Sequence, residues 1–172
     1  MTLENKKILM VVAPRAFKDA ECFTPKEAFE KEGATVQVAS MSAGTAESEQ
    51  GKTIKVDFSV DEVRPDNFDA VVFVGGPGMR SMVAEPSFVD LARDFHDSGK
   101  LTAAICSAPV ILANSGILTG KRATVHESGQ TELEENGVFF TGEAVTSTDN
   151  VITANGPGAA KGFANAIIKH LK

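Results

Sequence analysis

The chain carries three short, largely apolar runs, KILMVV at 7–12, AVVFV at 70–74 and LTAAI at 101–105, and a further strand, TVQVA, at 35–39. A strand with one wet face shows apolar residues only at every second position, so runs like these belong to strands covered on both faces. Between them the period changes. Phe88, Leu91, Ala92 and Phe95 fall at i, i+3, i+4 and i+7, one face of a helix that stops at Gly99. Ala159, Phe163, Ala166, Ile167, His170 and Leu171 repeat that spacing near the C-terminus. Buried strands alternating with amphipathic helices leave one main solution, a mostly parallel central sheet with helices on both faces. The expected fold class is therefore α/β, doubly wound, in three layers. The 172 residues suit one such domain over 1–172, with no internal repeat or linker.

Other segments fit around this frame. Thr24-Pro25-Lys26-Glu27 reads as a helix start, with Thr as cap, Pro at the first helical position and Glu closing a capping box. Residues 40–50 read as a polar loop, and Lys52–Phe58 alternates like a hairpin arm. A helix is expected over Ser107–Asn114, a short strand over Ala123–Val125, and two strands around Asp149-Asn150. Open parallel sheets place their sites at the carboxyl ends of the strands. That rule singles out the loop from Pro14 to Phe23, Gly75-Gly76, Cys106 and His126.

Composition narrows the chemistry. A net charge of -6 argues against nucleic acid or an anionic membrane as partner, because both reward basic patches. The N-terminus runs straight into the first strand, and no apolar run is long enough to span a bilayer, so a cytoplasmic protein is expected. Two cysteines and three histidines, with no CxxC, imply neither a disulfide framework nor a zinc site. GGPGMR is not GxGxxG, so no dinucleotide site is expected, and no cofactor or metal is assigned.

Four places carry candidate chemistry. Cys106 stands where a buried strand becomes a helix, among Ala103, Ala104, Ser107 and Ala108. Helix-terminal N–H groups would favour a thiolate there and lower its pKa, and small flanks suit a nucleophile elbow; the alternative is a packed core thiol. Gly75-Gly76-Pro77-Gly78 follows a buried strand and would let backbone N–H groups approach a ligand; a plain tight turn is the alternative. Glu21, in the loop after strand one, could face Cys106 and, if desolvated, move protons; it is also one of 23 acidic residues. His126 directly follows a short strand and is a candidate base or orienting group, or a partly buried structural histidine. Cys22 reads as packing.

The ordered set of the Glu21 loop, KTIKVDFSVDEV, FDAVVFVGGPG, AAICSAP, RATVHES and ITANGPGAAKGFANAII resembles the ThiJ/PfpI family, also called the DJ-one family, of the class I glutamine amidotransferase-like fold. The resemblance spans nearly the whole chain. It implies a flavodoxin-like sandwich that forms homodimers, with Cys106 as elbow nucleophile in a strained backbone conformation. It implies Glu21 as a protonated acid on the thiolate, Gly76 and the Ser107 N–H as oxyanion-hole donors, and His126 as the histidine near the cysteine. Ser107 stands where protease-like members carry histidine, and Asn155 where the family carries an arginine.

What this implies is a cofactor-independent enzyme acting on small reactive carbonyls, glyoxalase- or deglycase-like, with Cys106, Glu21 and His126 as catalytic residues. Two alternatives stay open. One is a non-catalytic redox sensor or chaperone with an oxidisable Cys106. The other is a cysteine peptidase or amidase, ranked third because Ser107 replaces the histidine.

Overall fold

A computed structural model describes residues 2–172. Its main sheet has seven strands. β1 (Lys7–Val11) lies between β3 (Thr35–Ser40) and β7 (Ala70–Phe73); β8 (Leu101–Ile105) and β12 (Val151–Ala154) extend it on one side, and β6 (Phe58–Ser59) on the other. All these pairs are parallel; only the edge strand β11 (Val145–Thr148) runs antiparallel, against β12. The expected α/β fold, with a mostly parallel sheet between helical layers, is what the chain adopts.

The apolar runs split between two cores, as a covered strand requires. Leu9, Val11, Val71 and Phe73 face one side, with α3 (Pro86–Asp97), α4 (Pro109–Asn114) and α5 (Gln130–Glu135). Ile8, Met10, Val72 and Ile105 face the other, with α1 (Asp19–Lys31) and α6 (Ala160–Leu171). The register sets the site. Val11 pairs with Phe73, Phe73 with Ala104, and Ala154 with Ile105, so four strands finish at one edge.

Four expectations are corrected. First, α1 starts at Asp19, not Thr24, so Pro25 is inside it and Glu21 lies on its first turn rather than in a loop. Pro25 has no N–H to give the Glu21 carbonyl four residues back. The helix tolerates this because Asp19 ties its start down: Ser48 Oγ donates to one carboxyl oxygen at 2.7 Å and the Gln50 N–H to the other at 3.2 Å. Second, residues 40–50 are not all loop. β4 (Gly44–Ser48) pairs antiparallel with β5 (Thr53–Val56), which fulfils the hairpin reading, and parallel with β2 (Arg15–Phe17). This small sheet is hard to see in sequence because its strands are short and mostly polar. Third, α4 begins at Pro109 rather than Ser107. Proline suits the first helical position, and Cys106 to Ala108 form the turn before it. Fourth, the short strand β9 (Arg122–Ala123) pairs with β10 (Phe139–Phe140) and ends at Ala123 rather than Val125, so His126 comes after a gap.

Candidate active site

Three segments meet where the strands end: the turn after β8, the glycines after β7, and the first turn of α1. Cys106 has φ 65°, a left-handed conformation that costs a non-glycine residue about 1–3 kcal/mol. It is held there from both sides. Its N–H donates to the Ala154 carbonyl, and its own carbonyl accepts from the His126 N–H, each at 2.8 Å. These bonds over-determine the strained geometry.

The glycines are there for proximity. A Cβ on Gly75 would lie 2.6 Å from the Cys106 Cβ and 2.7 Å from Glu21 Oε1. One on Gly76, at φ 116°, would meet the Lys18 backbone nitrogen at 2.6 Å, and one on Gly78 would run into the Arg15 carbonyl. The Lys18 N–H donates to the Gly75 carbonyl at 3.1 Å, stitching the two loops together. Close approach of the 15–18 segment, rather than a plain tight turn, explains the GGPG run.

Glu21 is 0% exposed, and neither carboxyl oxygen has a hydrogen-bond partner of ordinary geometry. Burial pushes it up to about 7; the Cys106 thiol, the Lys18 charge and the Gly75 N–H pull the other way. Cys106 is pushed up to about 12 by burial first, then by the charge and hydrogen bond of Glu21, against the Ser107 and Gly76 N–H groups. The expected lowering by N–H groups is therefore present but outweighed. The two shifts describe one arrangement: the Glu21–Cys106 pair accommodates one negative charge, and a second is strongly opposed.

Cys106, Ser107, Gly76 and Pro77 line a pocket of about 300 Å³, together with Lys18, Arg80, His126, Ser128 and Pro157. Glu21 lies outside the lining, behind the thiol. Ser107 is buried, and its hydroxyl donates to the Gly76 carbonyl at 3.3 Å. The half-buried His126 ring accepts the Ser128 N–H at Nδ1, 3.2 Å away, and Ser128 Oγ is 2.9 Å from the same nitrogen. A lone pair at Nδ1 puts the proton of the neutral ring on Nε2, as a donor. Among the described residues, no cluster of three or more His, Cys, Asp or Glu side chains could hold a metal ion.

All five sequence candidates thus gather at one edge, with Glu21 touching the pocket only through Cys106. Sequence reasoning missed Lys18, Arg80 and Ser128. Arg80 reaches from α2 (Pro77–Arg80) to the Glu132 carboxylate, with Nη1 at 3.2 Å from Oε2, and its Nη2 donates to the Ser128 carbonyl at 3.2 Å. A lone cation after a glycine loop carries no pattern; only its position one turn beyond GGPG pointed toward the site.

The model of the DJ-1/PfpI family matches residues 6–170. A deglycase of Pyrococcus furiosus, PfpI, is 32% identical, covering 96% of this chain and 99% of its own length. An uncharacterized protein of Methanocaldococcus jannaschii is 36% identical over 99% of this chain and 84% of its own. A glutathione-independent glyoxalase of Caenorhabditis elegans is 29% identical over 98% and 90%. The solved structure of a ThiJ/PfpI domain protein from Brachyspira murdochii superposes with a TM-score of 0.95 at 35% identity, over 98% of this chain and 97% of that one.

Proposed function

The chain belongs to the DJ-1/PfpI family, and from that premise we propose that it is a cofactor-independent, cysteine-dependent enzyme that converts small 2-oxoaldehydes to hydroxy acids. Relatives named deglycase and glyoxalase support the reaction class. The observation that carries the reading is the fully buried Glu21 carboxyl behind Cys106, whose thiol lines a pocket with Gly76 and Ser107.

In this mechanism the Cys106 sulfur adds to the aldehyde carbon, and the pair's proton goes to the carbonyl oxygen. The Gly76 and Ser107 N–H groups stabilise the oxyanion as it forms. Glu21, now a carboxylate, takes the proton from the former aldehyde carbon and returns it to the neighbouring carbonyl carbon, while the hydroxyl proton on the former aldehyde carbon passes to the neighbouring oxygen. An acid pushed up to about 7 suits a group that must both accept and give a proton near neutral pH. The product is a thioester on Cys106. Water hydrolyses it, freeing the hydroxy acid and restoring the thiol. His126 donates from Nε2 to the substrate oxygen rather than acting as a base, since Ser128 occupies its Nδ1. We take the enzyme to be cytoplasmic and, as the family resemblance implies, a homodimer; no described helix is long and apolar enough to cross a membrane.

Cys106→Ala should lower methylglyoxal turnover by about 10³-fold or more, with the circular dichroism spectrum unchanged. Turnover retained in a folded Cys106→Ala protein would overturn the reading. Loss of carbonyl turnover in both proteins, with oxidation of Cys106 by mild peroxide, would favour the redox-sensor alternative.

A further inference from the structure

Apart from the reacting Cys106, the charged side chains that line the pocket are cationic. Lys18 and Arg80 line it, and among the described residues no carboxylate does. On a chain of net charge -6 the carboxylates that pair with these cations, Glu49 and Glu132, stand outside the lining. A cleft lined by one sign of charge concentrates the opposite ion. Both cations retain capacity for a further partner. Lys18 Nζ meets Glu49 at 3.0 Å in a pair whose side chains are 37% and 40% exposed. Such a pair is weak and exchanges readily for another anion. Arg80 has five N–H donors, and its contacts to Glu132 and the Ser128 carbonyl engage three of them, leaving two.

Volume points the same way. A three-carbon dicarbonyl has five heavy atoms, and at somewhat less than the roughly 30 Å³ a water molecule occupies, it fills on the order of a third of the pocket. The pocket measures about 300 Å³. Room remains for a tail of several atoms in a pocket that Cys106 and both cations line.

Building on the reaction proposed above, we infer that the pocket selects 2-oxoaldehydes that carry an anionic group at the end remote from the aldehyde. Lys18 and Arg80 hold that group while Cys106 takes the aldehyde carbon. The chemistry is unchanged: the substrate gains one water, the proton moves from the aldehyde carbon to its neighbour, and the tail is not altered. A carboxylate and a phosphate share the recognition chemistry.

The test compares three substrates on the wild-type protein: methylglyoxal, 4,5-dioxopentanoate and 3-phosphooxy-2-oxopropanal. At about 10 mM ionic strength, kcat/KM for at least one anionic substrate should exceed that for methylglyoxal by about tenfold, mainly through KM, as one charge-assisted hydrogen bond provides. Which of the two is preferred identifies the tail as carboxylate or phosphate. The advantage should shrink at about 150 mM, where the Debye length falls from about 30 to about 8 Å. Lys18→Gln should lower the anionic-to-neutral ratio several-fold, and Arg80→Lys should lower it less than Arg80→Gln. The salt series needs no variant, so it stands if an Arg80 variant fails to fold. Methylglyoxal used as well as or better than both anionic substrates, or a ratio indifferent to salt, would overturn this inference and leave the carbonyl chemistry intact. No turnover of any of the three would overturn both.

Discussion

The molecule's two cysteines have thiols pushed up to about 12, yet they live in different chemistry. Cys22 is 0% exposed and sits in the core beside α6, where burial is the main cause, with Lys26 lowering and Asp19 raising the thiol. Cys106 lines a pocket, and after burial the next cause of its shift is one removable charge, that of Glu21. Glu21 and Cys22 are neighbours in sequence, but about 100° of helix turns them to different surroundings. An elevated thiol pKa therefore does not separate a packed cysteine from a reactive one. Access and the presence of a proton partner do.

The comparison is broken most severely by removing the partner. Glu21→Gln should lower methylglyoxal turnover by about 10² to 10⁴, the usual contribution of a positioned acid or base. It should also remove the rise of kcat/KM through about pH 7, because that rise is the first ionisation of the pair. A smaller effect sharpens the role of close approach. Gly75→Ala drives a Cβ into Cys106 and Glu21, whereas Gly156→Ala meets nothing within 4 Å and its φ of 161° suits any residue. Chemical denaturation should show Gly75→Ala destabilised by about 1–3 kcal/mol, the range for overpacking, and Gly156→Ala by much less.

The sheet was legible in the chain because doubly covered strands have a distinctive signature; β1, β7 and β8 lie within the apolar runs, and β3 covers TVQVA and Ser40. What failed was local chemistry overruled by tertiary contacts. Thr24-Pro25-Glu27 has every mark of a helix start, but Ser48 and Gln50 from the hairpin anchor α1 five residues earlier, at Asp19. β2 and β4 are short and polar, and they exist because they pair with each other. The site shows the same division. Cys106, Glu21, Gly76, Ser107 and His126 were readable from strand ends and the ordered motifs. Lys18 and Arg80 were not, since they reach the pocket only when the GGPG loop and the 15–18 segment come together.

The central claim is that Glu21 and Cys106 share one proton. Its most direct test is the rate of Cys106 alkylation by iodoacetamide against pH, followed by peptide mass in wild type and in Glu21→Gln. The account predicts a wild-type rate that rises through about pH 7 to a plateau, with Cys22 unlabelled until the protein unfolds. In Glu21→Gln that step should vanish. The thiol then titrates as a single group, below about 12 because the opposing charge is gone, and still above an ordinary thiol because burial remains. Superimposable profiles in the two proteins, or a Cys106 as unreactive as Cys22, would contradict it.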